Sequence, residues 1–239
     1  GEYVEARKLY QKSMKIAQEL KDKWGLFNSL YQMGMLAHEM GEYVEARKLY
    51  QKSMKIAQEL KDKWGLFNSL YQMGMLAHEM GEYVEARKLY QKSMKIAQEL
   101  GYDNGMADLA HQMGWLAQTT GDCDNARKHY LESMKIAQEL GDKRGIARSL
   151  HHQGMVAYIK EDYDAARNLY QQSLEITQEM DDKNGIALAQ AQLALLEEKM
   201  GNHKAALHLI RQAEAAFREL GSPYAEQAKK DRQRLEQNQ

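Results

Sequence analysis

Proline is almost missing from this chain: Pro223 is the only one in 239 residues. Helices can run uninterrupted up to that point, because nothing removes a backbone donor or pushes into the preceding turn. Cysteine also occurs once, as Cys123, so no disulfide can form within the chain. That suits a reducing compartment, and a cytoplasmic location is the expectation. Cys123 itself reads as a small half-buried residue, since no activating base is in evidence. No run of about 18 apolar residues occurs, so no membrane partner is expected. Charge of one sign is not in excess either, with 33 basic and 34 acidic residues giving a net −1. A nucleic-acid partner is therefore not expected. Chemistry-bearing motifs are lacking too. There is no Gly-rich phosphate loop, no nucleophile elbow and no paired catalytic carboxylate, so neither an enzyme nor a cofactor is expected. The eight histidines do not fall at metal-ligand spacing. His111 and His151 share one repeat position, His152 is adjacent, and His203 and His208 lie five apart on diverging faces. No metal is expected.

What is present is repetition. Residues 1–40 and 41–80 are identical, and residues 81–100 copy the first twenty again. The period of 40 persists while the sequence drifts, through Gly121-Asp122-Cys123, Glu161-Asp162-Tyr163 and Gly201-Asn202-His203. Such identity marks copies that are recent or engineered. The composition, 44% hydrophobic and 28% charged, is that of an ordered domain. The opening Gly1-Glu2-Tyr3 reads as the inside of a repeat, so a fragment of a longer array is the expectation.

Each unit carries two helical patterns. Leu26, Leu30, Met33, Ala37 and Met40 fall on one face of a first helix, here called type A. Tyr43, Ala46, Tyr50, Ser53, Ala57 and Leu60 fall on one face of a second, type B. Gly41 stands where a left-handed C-cap would end helix A, and Asp62 is an N-cap for the next one. The spacing predicts A helices near 24–40, 64–80, 104–120, 144–160 and 184–200. It predicts B helices near 2–20, 42–60, 82–100, 122–140, 162–180 and 202–220. Ser222-Pro223 starts a last, polar helix near 223–237, which would cap the array. The fold expected is all-α: one solenoid over 1–239, with an unpaired helix B over 1–23, five A–B pairs over 24–220 and a capping helix over 221–239.

The pattern of Leu30, Met33-Gly34, Ala37, Gly41-Glu42-Tyr43, Ala46, Tyr50 and Ser53 resembles the tetratricopeptide repeat family. It recurs through Gly74, Gly114 and Gly154, and through Ala86, Ala126, Ala166 and Ala206. The family's common unit has 34 residues, so a unit of 40 is similar to its long-helix branch. Ala194 and Ile210 depart from the glycine and the aromatic of the pattern. On packing grounds, Gly34 and Ala46 are expected where the helices of one pair cross, with Tyr50 and Met33 filling the space between neighbouring pairs. Gln153 stands where earlier repeats carry Met, and His111 or His151 is the expected partner of its amide.

The resemblance implies a right-handed superhelix whose A helices line a concave, partner-binding groove. Transferred position by position, the groove residues are Asn28, Tyr31, Met35 and His38, repeated as Asn68, Tyr71, Met75 and His78. They continue as Asp108, His111 and Trp115, then as Arg148, His151, Met155 and Tyr158, and last as Leu188, Ala191 and Leu195. Aromatic and Met side chains there suit a protein or peptide partner. They equally suit inner residues that touch their counterparts one repeat along. Two ligand-gripping patterns of the family are absent: no carboxylate clamp is formed, and Met35, Met75, Trp115 and Met155 replace an Asn ladder. The alternative function is a structural array that associates head to tail through its open first helix, at Tyr3, Ala6, Tyr10, Ala17 and Leu20.

Overall fold

A computed structural model describes residues 2–237, and among these twelve α-helices and no strands are found. Type B supplies α1 (Glu2–Glu19), α3 (Tyr43–Leu60), α5 (Tyr83–Leu100), α7 (Cys123–Leu140), α9 (Tyr163–Glu179) and α11 (His203–Glu219). Type A supplies α2 (Lys23–Glu39), α4 (Lys63–Glu79), α6 (Asp103–Thr119), α8 (Lys143–Ile159) and α10 (Lys183–Lys199). The last is α12 (Ala225–Gln237). The 40-residue period thus places every expected helix within about two residues, which is the usual scatter at helix ends.

Local chemistry sets these boundaries. Asp22, Asp62 and Asp182 cap A helices by accepting from the amides of Gly25, Gly65 and Gly185 at 2.9, 3.0 and 3.1 Å. Gly41, Gly81, Gly121 and Gly201 end A helices at φ values of 73–80°, the left-handed conformation that costs glycine nothing. At the ends of B helices, Lys21 and Lys61 hold the same conformation, as Gly101 and Gly141 do. Exposed ion pairs recur along the surface, from Lys23 to Glu59, Lys63 to Glu99 and Lys183 to Glu219, each at 2.8 Å. In solvent such pairs add little stability.

The chain forms two compact units, residues 1–116 and 117–239, and the division falls within α6. In the first, α2 packs between α1 and α3, and α4 between α3 and α5. In the second, α8 packs between α7 and α9, and α10 between α9 and α11. Helix α12 then packs on α11, in the place of a further A helix.

Three glycines of A helices each lie beneath a tyrosine ring of the following B helix. A Cβ on Gly34 would stand 2.7 Å from Cδ1 of Tyr50, one on Gly74 2.6 Å from Tyr90, and one on Gly154 2.6 Å from Tyr170. Tyr50 therefore rests on its own pair, and it also lines the cleft toward Gln72 and Met75 of α4. Each ring is fully buried, at 1% exposure or less. In the last pair the contact is rebuilt with Ala194 and Ile210, both buried in one cluster with Ala206, Ala213 and Phe217.

Candidate partner-binding clefts

The A helices present their groove positions differently in the two units. In unit 1 many of these side chains meet one another across neighbouring repeats. His38 Nε2 lies 2.8 Å from Glu79, Gln112 Nε2 donates to the Tyr71 hydroxyl at 3.5 Å, and Trp115 sits edge-on to His78 with centroids 4.7 Å apart. Tyr31 leans on Phe27 and Tyr50, each at 6.0 Å. His78 and His111, both expected groove positions, are buried. Trp115 remains exposed. Asn28, Asn68 and Asp108 are half-buried. A cleft of about 500 Å³ remains beside Met35, His38, Tyr43, Tyr50, Gln72 and Met75, with Glu39 and Glu79 at its edge. Burial pushes the Tyr50 phenol well above its ordinary pKa, with the nearby phenol of Tyr31 and the carboxylates of Glu39 and Glu79 adding to it.

Unit 2 holds a second cleft. A cleft of about 530 Å³ is lined by Arg144, Arg148, His151 and Met155 from α8, and by Leu188, Ala191 and Leu195 from α10. Its far side is Ala228 and Asp231 of α12, with Tyr224 just ahead of that helix. Ile210 and Phe217 of α11 form part of its floor. The period explains the alignment: Arg148, Leu188 and Ala228 are 40 apart, as are His151, Ala191 and Asp231. The cleft therefore brings together Arg148, His151 and Met155 of the expected groove. Tyr158 lies outside it, 5.7 Å from Tyr163.

The electrostatics of this cleft follow from burial. The His151 ring packs 5.7 Å from Tyr170 and the His152 ring stacks 5.1 Å from Tyr130. Loss of hydration lowers His151 to about 4. The same cause, aided by His151 and Arg148, lowers His152 to about 3. Both rings are neutral at pH 7. The charge around the cleft then comes from the guanidinium groups of Arg144 and Arg148 and from the carboxylates of Asp182 and Asp231. An apolar floor with charge at its margins can hold side chains of a partner. Among the described residues no group of three His, Cys, Asp or Glu side chains could hold a metal ion. The Gln153 amide lies 3.6 Å from Met134 Sδ, not against a histidine, because Met134 reaches it from the preceding helix.

Sequence reasoning missed Arg144, Tyr224 and Asp231. Asp231 was legible in principle, since counting 40 from Ala191 reaches it. The polar composition of α12 pointed only to a cap.

A family model described as tetratricopeptide repeat matches residues 1–60, 65–139, 116–179 and 145–219. Curated protein sequences include no match. Among solved structures the chain is similar to BtubC (BKLC) from P. vanneervenii, with a TM-score of 0.78 and 19% identity over 92% of this chain and 93% of that one. It is similar to aspartyl phosphate phosphatase F from Bacillus subtilis, with a TM-score of 0.80 and 14% identity over 88% of this chain. There it spans 56% of the other chain, just over half its length. A putative kinesin light chain of Podosopora anserina with nearly identical TPR-like repeats gives a TM-score of 0.64 and 16% identity, over 79% of this chain and 93% of that one. At these identities the likeness shows the fold.

Proposed function

The chain belongs to the tetratricopeptide repeat family, and from that membership we propose that it is a protein-interaction scaffold holding a peptide or partner helix in the cleft of unit 2. The observation that carries this reading is the alignment of three successive A-position helices around one 530 Å³ cleft. That volume suits a few side chains inserted from a partner. The floor of Met155, Leu188, Leu195, Ile210 and Phe217 favours apolar anchors, which supply most of the affinity at such surfaces. Arg144 favours an acidic residue beside the anchor. Catalysis forms no part of the proposal.

The test is selection of peptides from a random display library on the immobilised chain. Apolar peptides carrying an acidic residue should be enriched. Leu188→Asp should weaken them at least tenfold while circular dichroism stays unchanged, and Arg144→Glu should weaken the acidic ones selectively. If no peptide is enriched, or if enriched peptides bind Leu188→Asp equally well, the cleft is not the site. The array would then stand as a structural repeat without a dedicated ligand.

A further inference from the structure

The unit 1 cleft, formed by α2, α3 and α4, has a charge pattern of its own. Glu39 and Glu79 stand at its edge, and no lysine or arginine lines it among the described residues. The His38 ring holds Glu79 at 2.8 Å and lies 5.8 Å from the Tyr43 ring. Met35 and Met75, both half-buried, complete the wall. The charge offered to a ligand is therefore negative, beside an aromatic ring and two flexible thioethers.

A second feature is independent of that charge. The Tyr50 hydroxyl is buried in the wall of the cleft, and among the described residues no group bonds it. A buried polar group without a partner is rare. The repeat can satisfy this hydroxyl, as unit 2 shows: there Tyr130 donates to Gln118 Oε1 at 2.9 Å. Tyr130 and Gln118 lie two periods of 40 beyond Tyr50 and His38. In unit 1 the His38 side chain turns to Glu79 instead, and the hydroxyl is left facing the cleft wall.

Two carboxylates and an unbonded hydroxyl oxygen call for a cation that also donates N–H bonds. The methionines call for an alkyl stem, and their unbranched side chains can shift to uncover the hydroxyl. We propose that the unit 1 cleft binds a lysine side chain of a partner protein. Glu39, Glu79 and the Tyr50 hydroxyl receive its ammonium beside the Tyr43 ring, and Met35 and Met75 pack its stem. The site is separate from the unit 2 cleft and does not depend on what that cleft holds.

The next repeat keeps most of these residues and changes two. Met35, His38, Glu39, Tyr43 and Tyr50 recur as Met75, His78, Glu79, Tyr83 and Tyr90. The Tyr90 hydroxyl also lacks a bond. Counting 40 from Met75 and Glu79, however, reaches Trp115 and Thr119. The second carboxylate is gone, and the Trp115 indole packs on His78 with centroids 4.7 Å apart. The proposal is confined to the first of the two places.

The experiment labels the methionine methyl groups of the full chain with carbon-13 and titrates Nα-acetyl-lysine methylamide. Nα-acetyl-norleucine methylamide, which lacks the ammonium, is the control. Saturable shifts are expected at Met35 and Met75 with the lysine probe alone, while Met155 in the unit 2 cleft stays still. Tyr50→Phe should weaken the probe roughly tenfold, the loss expected for a hydrogen bond to a charged group. It should not lower the urea midpoint, since the hydroxyl bonds nothing in the folded chain. Glu39→Gln should weaken the probe similarly. Met75→Trp should abolish binding in a folded chain, because the next repeat already carries tryptophan at this place. Equal shifts with the norleucine probe, or shifts that reach Met155 equally, would overturn the proposal. So would the absence of any shift, or Tyr50→Phe and Glu39→Gln chains that bind as tightly as the parent.

Discussion

At the scale of single residues, the repeat is organised around one contact, an aromatic ring laid on a glycine sixteen positions earlier. A methyl group at Gly154 would stand 2.6 Å from Cε1 and 2.7 Å from Cδ1 of Tyr170, closer than real Cβ contacts come. Replacing glycine by alanine inside a helix should stabilise by about 1 kcal/mol from propensity alone. Overpacking a filled core costs about 1–3 kcal/mol, so the clash should win. Gly154→Ala is expected to lower the urea midpoint. Adding Tyr170→Ile should recover most of the loss, because Ala194 and Ile210 already occupy these two places in the last pair. A double-mutant cycle with no coupling between the two changes would show that they do not share the space. Both departures, Ala194 and Ile210, stand out in the sequence as breaks in the pattern. That they are partners does not, because one-dimensional periodicity shows which residues share a face and not which ring rests on which backbone. The same gap hid the seat of Tyr50 on Gly34.

At the scale of elements, α8 is held on both sides by histidines that must stay neutral. His152 stacks on Tyr130 of α7, and His151 packs against Tyr170 of α9. Arg148 on α8 itself adds repulsion to any charge on His152. With folded values of about 4 and about 3, both lie below the ordinary histidine value near 6.5. As pH falls from 6.5 toward 4, the unfolded chain takes up protons at both positions and the folded chain at neither. Their stabilising contribution is therefore intact above pH 6.5 and is lost progressively down to the folded values. Each histidine contributes up to about 1.4 kcal/mol per pH unit inside that window. His151→Gln combined with His152→Gln should flatten the pH dependence of the urea midpoint between 6.5 and 4, and an unchanged slope would assign the acid sensitivity elsewhere. The helices themselves were legible, because a 3.6-residue period and a 40-residue repeat are strong signals along one chain. The role of α12 was not. Its mean composition is polar, which pointed only to a cap; it packs on α11 where an A helix would and sets Ala228 and Asp231 at the cleft. Position in the repeat, rather than composition, decided its place.

At the scale of the whole molecule, identity between repeats turns chain length into a variable that can be changed without touching any local contact. Residues 1–40 and 41–80 are the same, and both Met40 and Met80 are followed by the same Gly-Glu-Tyr. Excising residues 41–80 therefore joins Met40 to Gly81 through a junction already present in the native chain. The helices α2 and α5 would then meet as α4 and α5 do now, with Gly34 beneath Tyr90. No new interface has to be invented, so the shortened chain of 199 residues (239 less 40) should fold. In repeat arrays stability is close to a sum of unit and nearest-neighbour terms. The surface exposed on unfolding should fall in proportion to length, and the urea m-value with it, by roughly a sixth if the chain unfolds in one step. Duplicating residues 41–80 should raise both by a similar increment. The measurement is a series of urea unfolding curves followed by helical circular dichroism on the short, parent and long chains. Equal increments from one length to the next would show that each identical repeat adds the same unit and interface energies. An m-value that stays constant while the midpoint moves would instead mean that the excised repeat unfolds separately from the rest, and its contacts with α2 and α5 would then be weaker than the full burial of Tyr50 and Tyr90 implies.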